Sequence, residues 1–183
     1  MRKAVLFFAD GTEECEALLV ADLLRRAKVE VIIASAMGRR ALVSSHGIHL
    51  NADALAEDVD YSDVDMVVLP GGIPGTPNLA ENKTVTDTCV AFAHAGKKLA
   101  AICAAPTILA MLGITDGKRA TCYPGFEDRC TGAQMVDADV VTDGQITTGR
   151  ALGAAIPFAL ELVRLLTDEQ TAARTAEEIV YRA

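Results

Sequence analysis

The chain has 183 residues, 51% of them hydrophobic, 23% charged and 4% aromatic, which fits one globular domain spanning 1–183. With 14 Gly and 6 Pro it falls outside the fibrous, low-complexity and disordered classes. A net charge of −8 repels phosphate backbones and anionic lipid, so neither nucleic acid nor membrane is an expected partner.

Ala4 to Phe8 is wholly apolar, as a strand buried on both faces should be. Thr12 then precedes Glu13 and Glu14, a hydroxyl at the cap and carboxylates in the first turn of a predicted helix. Ala17, Val20, Ala21 and Leu24 continue it at helical spacing, and Arg25 and Arg26 close it. Val29 to Ala34 is a second buried strand. Leu42-Val43 and Ile48 to Leu50 are short strand candidates, and Val64 to Leu69 is a strong strand running into Pro70-Gly71-Gly72. A helix over Thr86 to Ala95 puts Val85, Cys89 and Phe92 along one stripe, and Gly96 stops it. Leu99 to Ile102 is a strand, Ala105 to Leu112 a helix, and Arg119 to Cys122 a candidate strand. Val140 to Thr142 and Ile146 to Thr148 flank Asp143-Gly144, a hairpin signal. Ala155 to Leu166 reads as a long apolar helix. Thr167 to Gln170 has the capping-box pattern that starts a last helix to about Arg182. Strands alternating with helices imply a mostly parallel sheet covered on both faces.

The longest apolar stretch, Leu99 to Ile114, is broken by Pro106 and Thr107 and is shorter than the roughly 18 residues a span requires. No secretory pattern follows Met1, so a cytoplasmic location is expected. Five cysteines, an odd number without C-x-x-C spacing, argue for reduced thiols and against a zinc site. The scattered carboxylates also give no metal motif.

Ligands in open α/β sheets bind beyond the carboxyl ends of the strands. Three such ends carry chemistry here: Asp10 to Glu16, Leu69 to Ile73, and Ala101 to Pro106. Cys103 stands where an apolar strand must turn abruptly into a helix, and Ala104 and Ala105 permit the turn. A helix N-terminus there should lower the thiol pKa. The amides of Gly72 and Ala104 are placed to receive an oxyanion. The competing reading of Cys103 is an inert core thiol. Glu16, one turn into its helix, is a candidate proton shuttle whose pKa burial would raise. Against this, Glu13, Glu14 and Glu16 together read as a solvated, dipole-favoured first turn. Cys89 fits the core. Cys15 points away from Glu16, and Cys122 or Cys130 is a resolving thiol if close to Cys103.

Gly11-Thr-Glu-Glu-Cys-Glu16, Val67-Val-Leu-Pro-Gly-Gly72 and Ala100-Ala-Ile-Cys-Ala-Ala-Pro-Thr107 together resemble the ThiJ/PfpI superfamily. The nearest branch is that of the parkinsonism-associated protein deglycase and its bacterial relatives. The resemblance implies a flavodoxin-like three-layer α/β/α sandwich and a homodimer. It makes Cys103 the reactive cysteine, Glu16 its protonated partner, and Gly72 and Ala104 the oxyanion amides. Arg150 and Tyr123 become possible pocket residues. Ala104 stands where protease-like branches carry His, so no peptidase triad is expected. Tyr123 stands where the human-like branch has His, and His46 where that branch has Arg. The implied activity is cofactor-free turnover of 2-oxoaldehydes, or of their early adducts on proteins, by a glyoxalase or deglycase route. The alternative is a redox-responsive thiol protein or holdase chaperone without significant turnover.

Overall fold

The computed structural model describes residues 1–182. Its elements in chain order are β1 (Lys3–Phe8), α1 (Glu14–Arg26), β2 (Glu30–Ser35), β3 (Ala41–Val43), β4 (His49–Asn51), β5 (Ala54–Leu55) and β6 (Met66–Leu69). Then follow α2 (Gly75–Glu81), α3 (Lys83–His94), β7 (Lys98–Ile102), α4 (Pro106–Met111), β8 (Arg119–Ala120), β9 (Gln134–Met135), β10 (Val140–Asp143), β11 (Ile146–Gly149), α5 (Ala155–Leu166) and α6 (Glu169–Glu178).

The main sheet has the order β10-β11-β7-β6-β1-β2-β5. Every pairing in it is parallel except β10 with β11. The strands alternate their side chains between two cores, as a period of two requires. Ala4, Leu6 and Phe8 of β1 face α1, α5 and α6, whereas Val5, Phe7 and Ala9 face the side of α3 and α4. The result is the mostly parallel, doubly covered sheet that the alternating pattern implied, in the flavodoxin-like three-layer form that the family resemblance implied. The chain leaves β1 toward β2 on one side and returns to β6 on the other, so the strand order reverses between β1 and β6. No helix among the described residues is long and apolar enough to cross a membrane.

Several boundaries differ from the sequence expectations for identifiable reasons. Thr12 does not cap α1. Its hydroxyl accepts the Ala9 N–H at 3.0 Å, and the Glu13 carboxylate takes the cap by accepting the Glu16 N–H at 2.6 Å. α3 starts earlier than Thr86 because Asn82 accepts the Val85 N–H at 3.1 Å. α6 is capped by Asp168, one residue after Thr167, through the Thr171 N–H, and ends at Glu178 rather than near Arg182. The antiparallel pairing of Asp143 with Ile146 shifts the late turn to Gly144 and Gln145. The short elements β5, α2 and β9 escaped the sequence pattern, since two- and seven-residue segments carry little periodicity.

β11 packs on α5 through Phe158, whose ring atom Cδ2 lies 2.8 Å from where a side chain on Gly149 would begin. Phe158 is fully buried. Phe158→Ala is expected to cost about 3–5 kcal/mol of unfolding free energy, read from the urea midpoint at unchanged m-value.

Candidate active site

β1, β6 and β7 are neighbours, so their carboxyl ends bring Glu16, Gly71-Gly72 and Cys103 together at the point where the strand order reverses. Local hydrogen bonds fix each approach. The Glu13 N–H donates to the Gly71 carbonyl at 2.9 Å, which ties the start of α1 to the loop after β6. Gly72 has φ +98, and a Cβ there would fall 2.3 Å from the Glu13 nitrogen, so only glycine fits.

Cys103 has φ 65, a left-handed conformation rare for a residue with a side chain. Its backbone is held from both sides. Its N–H donates to the Gly149 carbonyl at 3.0 Å, and its carbonyl accepts the Tyr123 N–H at 2.8 Å. Such a conformation costs about 1–3 kcal/mol and persists only when its surroundings impose it. The strain turns the thiol toward Glu16. The two side chains hydrogen-bond, and the amides of Gly72 and Ala104 also bond the sulfur. A Cβ on Gly71 would lie 2.6 Å from Cys103 Cβ and 2.7 Å from Glu16 Oε2, so the glycine is what lets these groups meet.

Glu16 is 1% exposed, and Glu14 is buried as well. The reading of the first turn as a solvated face therefore fails for both, because the hairpin β3–β4 and the loop after β6 close over it. Glu16 Oε2 accepts the Gly71 N–H at 3.0 Å. The Leu152 N–H is a further partner, supplied from just before α5, a contact invisible in the sequence. Burial pushes the Glu16 carboxyl up to about 7; the Cys103 thiol and the two amides oppose the rise, and the charge of Glu13 adds to it.

The expected depression of the Cys103 pKa is not found. Burial pushes the thiol up to about 12, the charge and hydrogen bond of Glu16 add to the rise, and the amides of Ala104 and Gly72 only partly offset it. Desolvation and a neighbouring anion outweigh the helix terminus. The resting state is therefore a protonated thiol bonded to its carboxyl partner.

Tyr123 and Arg150 are not brought onto the thiol. Tyr123 is exposed, its ring sits edge-on to Phe126 with centroids 5.8 Å apart, and it meets Cys103 through its main-chain N–H. Arg150 pairs with Asp137 at 3.1 Å and lines a cavity of about 350 Å³ together with Cys122 and Glu127. His46, in the turn of the β3–β4 hairpin, bonds Glu14 Oε1 through Nδ1 at 2.9 Å. Burial alone would raise the Glu14 carboxyl, but its own amide, the Ser44 and Ser45 hydroxyls and His46 hold it below its ordinary value. Ligand atoms of Glu13, Glu14 and His46 lie within 4.8 Å of one another, a grouping the sequence reading missed. Glu13 is engaged as the helix cap and Glu14 with Ser45 and His46. Cys15 is exposed and Cys89 is buried in the α3 core.

The model of the DJ-1/PfpI family matches residues 2–165. Protein DJ-1 homolog B of Arabidopsis thaliana is 34% identical over 183 residues, covering 99% of this chain but 42% of that longer protein. A deglycase of Pyrococcus abyssi is 32% identical over 166 residues, covering 90% of this chain and 99% of its own. The crystal structure of a cysteine-to-alanine variant of a DJ-1 superfamily protein from Salmonella typhimurium superposes with a TM-score of 0.95 at 36% identity, covering all of both chains.

The raised Glu16 pKa sets a pH dependence of stability. Between about 4.5 and about 7 the unfolded carboxyl has lost its proton while the folded one keeps it, so folding is favoured at the acid end and stability falls as pH rises through this window. Urea midpoints across that range should show the decline in the wild type, and Glu16→Gln should flatten it.

Proposed function

The chain belongs to the DJ-1/PfpI family, and on that premise we propose that it is a cysteine-dependent, cofactor-free enzyme acting on 2-oxoaldehydes or on their early adducts with protein thiols and amines. The observation that carries this reading is the direct contact of a strained, half-buried Cys103 with a Glu16 whose pKa lies near neutrality. The deglycase name of the Pyrococcus relative supports the substrate class.

In this mechanism Cys103 Sγ adds to the aldehyde carbon as its proton passes to Glu16. The amides of Gly72 and Ala104 hold the developing oxyanion, and Glu16 returns the proton to give a hemithioacetal. Glu16 then removes the proton from the former aldehyde carbon, and an enediol forms. Reprotonation at the neighbouring carbon leaves a 2-hydroxyacyl thioester. Water cleaves the thioester to a 2-hydroxy acid and regenerates the thiol. The net change adds one water to the oxoaldehyde, with no external oxidant or reductant. A carboxyl with a pKa near 7 suits both halves of this shuttle, since it gives and takes protons at similar cost at neutral pH. A positioned acid–base group typically contributes 10²–10⁴-fold, and one oxyanion donor about 10²–10³-fold. In this scheme Glu16 serves as both base and acid.

The redox-responsive alternative draws less support from the site. Oxidation by peroxide proceeds through the thiolate, and the Cys103 thiol is held protonated.

The same proposal includes a single-domain chain acting as a homodimer. Exposed Leu18 lies two residues beyond Glu16 on α1, and exposed Leu152 supplies one of the Glu16 amide bonds. Sedimentation equilibrium should return twice the chain mass at micromolar concentration, and Leu18→Glu should shift it to the monomer. A monomeric wild type would refute this part.

The activity is tested by 2-hydroxy acid formation from methylglyoxal at neutral pH. Cys103→Ala should abolish turnover, and Glu16→Gln should lower kcat by at least about 10²-fold with intact folding. Turnover that survives Cys103→Ala would overturn the proposal.

A further inference from the structure

A second pair of thiols lies outside the Cys103–Glu16 contact. Cys122 and Cys130 are each 3% exposed, and with Ala110 they form a small cluster separate from the two cores that sandwich the sheet. Their thiols hydrogen-bond one another. Cys122 follows β8, where the Thr121 N–H donates to Thr148 Oγ1 at 2.9 Å, so its main chain is anchored to the sheet. Cys130 follows a single 3-10 turn, Glu127–Arg129, at the end of a mostly exposed loop. That loop contains Pro124 and Gly125, the latter with φ +91. One sulfur is thus anchored to the sheet, while the other ends a mostly exposed loop. This arrangement lets a pair reach disulfide geometry without disturbing a core. Cys122 also lines the cavity of about 350 Å³ shared with Arg150, which gives a small oxidant a route to an otherwise buried sulfur.

We propose that Cys122 and Cys130 form a reversible disulfide in response to hydroperoxide, a redox site distinct from Cys103. A hydroperoxide reaches the pair through the cavity beside Cys122, and Cys130 Sγ, deprotonated, attacks the peroxide oxygen. That sulfur becomes a sulfenic acid, and the O–O bond breaks with release of water. Cys122 then attacks the Cys130 sulfur, the S–O bond breaks, and the departing oxygen takes up the Cys122 proton and leaves as a second water. Two thiols and one hydrogen peroxide give one disulfide and two waters. The Cys122–Cys130 hydrogen bond favours these roles: it raises the Cys122 thiol and lowers that of Cys130, so Cys130 is the better source of the attacking thiolate. The disulfide would close the 122–130 loop and so act on Tyr123, whose N–H holds the strained Cys103 carbonyl.

The sequence makes the test direct. Trypsin cuts after Arg119 and Arg129, so Cys122 and Cys130 fall on the separate peptides 120–129 and 130–150, and Cys103 on a third. The reduced full chain is treated with hydrogen peroxide, blocked with an alkylating agent under denaturing conditions, and digested without reductant. The expected result is a joined 120–129/130–150 species lighter by two hydrogens than the sum of its peptides, with parallel loss of both free thiols. Dithiothreitol should reverse it. Cys103→Ala should leave it unchanged, and Cys130→Ser should abolish it. Full alkylation of Cys122 and Cys130 after Cys103 has been oxidised would overturn the proposal, as would a species joining Cys103 to Cys122. Because the wild-type chain alone yields a decisive result, a poorly folded serine variant leaves the test intact.

Discussion

The hydrogen bond between the Glu16 carboxyl and the Cys103 thiol is the contact around which the site is built. Neither group tolerates burial alone: an isolated ionised carboxylate in an apolar surround costs several kcal/mol or more, and an unpaired thiol gains nothing from the strained turn that presents it. Together they satisfy each other, and the amides of Gly71, Gly72, Ala104 and Leu152 complete the shell. One proton between two acceptors, with more than one amide bonded to each group, is a chemically poised arrangement. It is also a demanding one, since its members come from four separate segments of the chain, around Glu16, Gly71, Cys103 and Leu152.

The sheet order meets that demand. β1, β6 and β7 lie side by side, and the reversal of strand order at β1 leaves a crevice between α1 and the loop after β6. Glu16 points into it because it lies one turn into α1, and the Glu13 cap fixes where that turn begins. Gly71 and Gly72 are required for opposite reasons. Gly71 must leave room for two side chains, whereas Gly72 must adopt a positive φ close to the Glu13 backbone. The strain at Cys103 is offset by bonds from Gly149 and Tyr123 on either side of it, so β11 and the segment after β8 support the elbow without contributing a side chain to it.

The same support connects the two thiol systems. Cys122 precedes Tyr123 and its thiol donates to the Tyr123 carbonyl at 3.4 Å, while the Tyr123 N–H reaches Cys103. A change at Cys122 is therefore one residue from the hydrogen bond that steadies the elbow. The cavity beside Cys122 is lined by Arg150 and Asp137, and neither Cys103 nor Glu16 is part of that lining.

Much of this architecture was legible in the residues. The apolar runs at Ala4 to Phe8 and Val64 to Leu69 could only be strands covered on both faces, and the helical spacing after Glu16 could only be one amphipathic helix. Their alternation dictated the parallel sandwich. The abrupt passage from Ile102 to Pro106 marked Cys103, and the motif set marked Glu16 and Gly72. Those features are local: periodicity, turn chemistry and residue size act over a few positions. What depended on distant segments was not legible. The burial of Glu14 and Glu16 rests on a hairpin some thirty residues away and a loop more than fifty residues away, which is why the first turn of α1 read as solvated. The Leu152 amide, the exposure of Tyr123 and the pairing of Cys122 with Cys130 likewise follow from the packing of β8, β11 and the loops between them. The direction of the Cys103 pKa shift was misjudged for the same reason. A helix terminus can be read from sequence, but desolvation and the distance to a carboxylate are properties of the folded interior, and at this site they are the larger effects.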